Sequence, residues 1–282
     1  MNEIGVTDAL REEVYSILKE VLGRDATGIY IPVESDYDVA YSNLLYDEDF
    51  TPFAFNDEIE ENNDITIKYG ASRFVIIPYG KPYVIKMPIT AIYGERVYLE
   101  RLNEKGEIEQ ETCWAHQRYY DEYENYDEVE RKFECDAQTT GYDLMNVENE
   151  ICASVEDCGE IAGIFLPNEW IGEYNDIPVY IQRQVAGSES EIGDYHSFID
   201  AEDDEKEKVY TSRDQTDIRF NNDFVLAILR TYGEAALEAF SNMINAIHLE
   251  DMHEGNYGYL KDGTPVIFDY GGFDYDCLFI TN

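Results

Sequence analysis

The stretch Asn245-Ala-Ile-His-Leu-Glu-Asp251-Met-His253-Glu-Gly255-Asn256, followed further on by Ile267-Phe-Asp269-Tyr-Gly271, decides how the rest of the chain is read. Between the two, Tyr257 to Val266 is a short hairpin-like stretch, with Asp262-Gly263 as its turn. The order predicts a loop, one hairpin and a second loop. An acid beside an amide carries little information alone. Two acids and an amide in this order, separated by one hairpin, can converge on metal ions and a triphosphate, because hard divalent cations take oxygen donors.

Working outward, Asp223 to Ile247 predicts one long helix that delivers the chain into this motif. Val225, Leu229, Tyr232, Ala236, Phe240, Met243 and Ile247 recur at three- and four-residue steps. Gly233 costs about 1 kcal/mol relative to Ala and leaves the reading standing. Ser188 to about Asn222, including Asp200-Ala-Glu-Asp-Asp-Glu205, is polar and predicts an exposed insertion. Further back lie the strand signals Ile65-Thr-Ile-Lys-Tyr, Arg73-Phe-Val-Ile-Ile-Pro and Tyr83-Val-Ile-Lys86-Met, β-branched and separated by Gly and Pro turns. Ile161–Pro167 and Ile177–Val185 predict two more. Glu107 to about Tyr123 predicts a helix with Cys113, Trp114, Gln117 and Tyr120 on one side. Residues 6–22 predict an amphipathic helix, with Thr7 as N-cap, Leu10, Val14, Ile17, Leu18 and Val21 at helical spacing, and Gly23 as the stop. From there to about Asp64 the chain is tyrosine-rich and acidic, an extension wrapped on the main body.

Asp-x-His-x-x-Asn, then a hairpin, then Asp-Tyr-Gly resembles the catalytic and metal-binding loops of the protein-kinase-like superfamily. The variant is most similar to aminoglycoside/choline kinase-type enzymes and to small kinase-like proteins encoded by bacteriophages. The resemblance implies an α+β fold: a minimal two-lobed kinase-like architecture with an antiparallel N-lobe sheet and a truncated helical C-lobe. It divides the chain into an acidic extension (1–64), an N-lobe (65–187) and a C-lobe (188–282). It implies ATP and Mg²⁺ as cofactors. Asp251 would accept the acceptor hydroxyl's proton, Asn256 and Asp269 would bind metal, His253 would brace the loop, and Lys86 would hold the α/β-phosphates. Gly70-Ala71-Ser72-Arg73 would be the covering turn, with Gly70 and Ser72 near the phosphates. An acid on the predicted 107–123 helix would pair with Lys86; Glu111 is chosen because it lies one turn before Trp114, with Glu109 nearly as good. Gln184 and Val185 would offer backbone groups to the adenine edge.

Three departures mark the resemblance. The covering turn holds one glycine where protein kinases have three. His248 lies three residues before Asp251, and the family's position two before is Leu249. Gly271 is followed by eleven residues (282 − 271), so the substrate platform is expected from the extension, the insertion or another subunit.

Composition narrows the partners. Twenty basic residues face 61 acidic ones, a formal net charge of −41, which repels phosphate backbones and anionic membranes and so excludes direct nucleic-acid binding. Three readings of the acidity stand together: a solubilising surface, a surface for a basic protein, and carboxylates imitating DNA phosphates. The five cysteines show no C-x-x-C spacing and predict reduced thiols. Met1-Asn-Glu-Ile-Gly lacks a basic and then apolar leader, and no apolar run spans a membrane, so a cytoplasmic setting is expected, a host's if the source is a phage. The reading is an ATP- and Mg²⁺-dependent phosphotransferase acting on Ser/Thr of a protein. The alternative is a pseudokinase serving as an acidic protein-binding module.

Overall fold

Period-two alternation sorts the side chains of the central sheet onto two unlike faces, and that sorting positions everything else. The computed structural model describes residues 4–24, 26, 28–32, 64–70, 72–114, 127–138, 140–156, 161, 163–215, 220–247 and 253–270. Its elements are α1 (Asp8–Val21), β1 (Tyr30–Pro32), β2 (Ile65–Tyr69), β3 (Arg73–Pro78), β4 (Tyr83–Pro88), β5 (Ala91–Leu102), β6 (Ile108–Trp114), β7 (Asp127–Ala137), α2 (Thr140–Glu156), β8 (Glu169–Tyr174), β9 (Ile177–Arg183), α3 (Asp203–Gln215), α4 (Asn222–Tyr232), α5 (Glu234–Ile247), β10 (Tyr257–Tyr259) and β11 (Pro265–Ile267). The fold is mixed α+β with antiparallel sheets and five helices among the described residues.

The main sheet runs β2-β3-β4-β9-β8, antiparallel throughout. On one face Phe74, Ile76, Ile85, Met87, Val179 and Ile181 form a core with Val14, Leu18 and Val21 of α1. That helix begins where Thr7 accepts a hydrogen bond from Leu10 N–H at 3.2 Å, as the sequence predicts. The opposite face carries Lys68, Arg73, Val75, Val84, Lys86 and Gln182, in step with the pleat. A second core joins α3, α4, α5, the β10–β11 hairpin and the C-terminal half of α2 around Phe165, Phe224, Phe240 and Tyr270. The third unit is a sheet in which long β5 pairs with β6 and β7 and, in parallel, with β1. No helix among the described residues is long and apolar enough to cross a membrane.

Four sequence readings need correction. The predicted 107–123 helix is strand β6 over Ile108–Trp114. Asn103 sets the turn, its side-chain oxygen accepting from the N–H groups of Lys105 and Glu107, both at 3.0 Å, and this closes a hairpin with β5. The predicted 223–247 helix is two, because Gly233 adopts φ +90°, which no right-handed helix continues. Among the described residues of 161–167 no strand forms; Phe165 makes an isolated parallel bridge to Ile267. The 188–222 segment is not a bare insertion: it contains α3, whose Val209 is buried in the second core together with Ala201 just before the helix. The readings placed on residues 33–63, 115–126 and 271–282 lie outside the described residues.

Candidate functional site

The charged face of the main sheet and the loops around the β10–β11 hairpin enclose a cavity of about 820 Å³. Gly70, Ser72, Lys86, Val185, His253, Asn256 and Asp269, all singled out in the sequence, line it. Glu111 does not. It lies exposed on β6, opposite Leu99 of β5, in the other sheet. Gln184 does not line it either: its N–H donates to Pro82 O at 2.9 Å. Ala186 N–H is likewise spent on Tyr259 O at 2.8 Å, which leaves Val185 as the connecting residue on the cavity wall. Asp251, like His248 and Leu249, lies outside the described residues.

Local hydrogen bonding explains why the hairpin loops stay in register. Gly263, at φ +89°, turns the hairpin as the Asp-Gly pair predicts. Asp262 Oδ1 accepts from Thr264 N–H at 3.1 Å, which caps the turn. Asn256 N–H donates to His253 O at 2.9 Å, and Asn256 O accepts from the N–H groups of Phe268 at 3.0 Å and Asp269 at 3.2 Å. The two loops are thus sewn together directly below the cavity. Within the same loop His253 Nδ1 accepts a hydrogen bond from Gly255 N–H at 3.0 Å. A Cβ on Gly255 would fall 2.7 Å from the His253 ring, so a larger residue here would push the imidazole out of its present position.

Two buried cations dominate the wall. Lys86 is 4% exposed, and its Nζ donates to Phe268 O at 2.7 Å. Burial pulls its pKa down to about 8; Arg73 adds to the fall, and Glu148 and Asp269 oppose it. Arg73, at the start of β3, reaches Glu148 Oε1 through Nη2 at 2.7 Å and donates through Nη1 to Asp269 Oδ1. Burial works against its charge, but Glu148 and then Asp269 outweigh it and hold its pKa above the ordinary range. Glu148 itself is fully buried, accepting also from Tyr270 N–H at 2.9 Å and Asn168 Nδ2–H at 2.6 Å.

The acid whose charge most favours the protonated Lys86 is Glu148 on α2, a residue the sequence reading missed. A signal for it exists: Met145, Glu148, Ile151 and Val155 are all buried and follow helical spacing, so Glu148 is a carboxylate set within an apolar stripe. What brings α2 close is Gly141, where a Cβ would lie 2.0 Å from Ser72 O. Known protein families, curated proteins and solved structures offer no match to this chain. The site must be read from its own chemistry. Asn256 and Asp269 bring two oxygen donors to one cavity, a set that fits Mg²⁺ when phosphate and water complete the shell. No cluster of three or more His, Cys, Asp and Glu exists among the described residues, so a caged all-protein metal site is not offered there.

Proposed function

We propose that the cavity binds ATP with Mg²⁺ and that the chain transfers the terminal phosphoryl group to a Ser or Thr hydroxyl of a protein. The observation that carries this reading is the charge of the wall. Among the described residues lining it, Lys68, Arg73, Lys86 and Arg183 are basic and only Asp269 is acidic, in a chain with 20 basic and 61 acidic residues. A polyanion is attracted here and repelled by the rest of the surface. On this reading the main sheet with α1 is one lobe of a kinase-like fold, and the helices with the hairpin are the other.

Phosphoryl transfer is mostly positioning and charge neutralisation. Lys86 and Arg73 meet phosphate oxygens from the sheet side. Asn256 and Asp269 would hold Mg²⁺, which would neutralise further phosphate charge. Val185 presents its backbone to the base. Asp251 takes the proton of the attacking hydroxyl as the oxygen–phosphorus bond forms and the bond to the β-phosphate oxygen breaks. The acidic exterior favours a basic protein as acceptor.

Incubation with γ-labelled ATP and basic protein acceptors tests the reading. The Asp251→Asn variant should lower transfer by about 10²–10⁴-fold while ATP still raises the thermal midpoint. Equal labelling by both proteins would remove Asp251 as the base. No thermal stabilisation of the wild type at millimolar ATP would remove nucleotide binding altogether.

A further inference from the structure

The carboxylate best placed to hold a metal already holds a cation. Arg73 donates to Asp269 Oδ1 while its other arm grips Glu148 at 2.7 Å. The two acids differ in freedom. The Glu148 side chain is 0% exposed and tied to Tyr270 N–H and Asn168 Nδ2–H, whereas the Asp269 side chain is 42% exposed on the cavity wall. Arg73 is thus anchored to a fixed acid and reaches toward a movable one. Lys86, opposite Val75 on the neighbouring strand, adds a second cation on the carbonyl of Phe268, directly before Asp269.

We infer that Arg73 is a built-in counter-cation, so that the cavity captures a nucleoside polyphosphate without a metal ion, and Mg²⁺ competes with Arg73 for Asp269. The inference rests on the reading that the cavity binds nucleotide. A planar guanidinium already in place, with Lys86 and Lys68 on the same face, can take phosphate oxygens directly. Asp269 then needs no metal to offset its charge before the ligand arrives. An arginine that only held the fold together would alter stability and leave the metal dependence of binding where it was.

The test is equilibrium binding of a fluorescent ATP analogue, once in EDTA and once in Mg²⁺. Wild-type affinity should differ by less than about threefold between the two buffers. The double variant Arg73→Gln/Glu148→Gln, which removes the buried arginine together with its fixed acid, should bind about tenfold or more weakly in EDTA and recover in Mg²⁺. Wild-type binding that appears only with Mg²⁺ overturns the inference and leaves the nucleotide reading intact, and this comparison needs no variant to fold. Unchanged binding by the double variant in EDTA also overturns it. Absence of wild-type binding in both buffers defeats the nucleotide reading and the inference with it.

Discussion

Arg73 on β3 and Arg230 on α4 each bring a guanidinium nitrogen to 2.7 Å from a glutamate oxygen, one inside the molecule and one on it. The Arg73–Glu148 side chains are 6% and 0% exposed, the Arg230–Glu205 side chains 30% and 22%. Arg230 has the better fork, with Nε donating to Glu205 Oε1 at 2.9 Å and Nη2 to Oε2 at 2.7 Å. Geometry therefore ranks the surface pair first, and burial reverses the order of consequence. Water can replace either partner of the outer pair when it breaks. Water does not reach the inner one, so its rupture leaves a desolvated charge with fewer partners: Arg73 keeps Asp269, and Glu148 keeps Tyr270 N–H and Asn168 Nδ2–H. A short distance reports contact, and the surroundings decide what the contact is worth.

The largest effect should come from breaking the inner pair. Glu148→Leu leaves the Arg73 guanidinium buried with Asp269 as its remaining charge partner, and should cost about 3–5 kcal/mol in urea unfolding at pH 7. Adding Arg73→Met should restore most of that loss, since an apolar pair of similar volume carries no unpaired charge. A single-variant cost below about 1 kcal/mol would place the two pairs in the same class and collapse the comparison.

Next in size is the pH dependence of Lys86. Burial holds its pKa near 8, below the usual lysine range around 10.5. Between those two values the unfolded chain carries a proton that the native chain does not, so stability rises with pH across that window, and the cost is fully present below about 8. Nucleotide affinity runs the other way, because phosphate favours the charged amine. It should fall by up to about tenfold per pH unit above the Lys86 pKa, and Lys86→Met should flatten the profile. A flat wild-type profile would take Lys86 out of contact with the ligand.

How much of this was legible depends on whether the information was local. The Thr7 cap, the alternating strands and the Asp262-Gly263 turn are written in neighbouring residues, and all three appear in the structure. Hairpin geometry likewise sets Asn256 beside Asp269, whereas the meeting of Lys86 with them at one cavity joins distant parts of the chain and is expected from the resemblance alone. Glu148 was not legible in that way. Its place depends on α2 approaching β3, and that in turn depends on the missing side chain of Gly141 beside Ser72 O. The aromatic spacing in 107–123 fits a helix face and a strand equally over so short a run; the Asn103 turn decided for the strand. Arg73 reads as a turn-flanking residue until Asp269, 196 positions on, comes beside it.

The smallest expected effect is the sharpest check on the opening contrast. Bonds from Arg230, and then the backbone N–H of Glu202, hold the Glu205 carboxyl down to about 2. A depressed carboxylate contributes stability above its ordinary range and loses it as pH falls toward that value. Such a shift invites a large energy, yet the pair sits where water and salt screen it, and the measured worth of exposed pairs is about 0–1 kcal/mol. Arg230→Gln should therefore lower stability by less than about 1 kcal/mol at low salt, with the difference fading near 1 M salt and again as pH drops from 4.5 toward 2. Unfolding curves of both proteins across that grid measure it. A loss as large as that of Glu148→Leu, unmoved by salt, would show that the seam between α3 and α4 behaves as interior, and that exposure does not separate these two arginines.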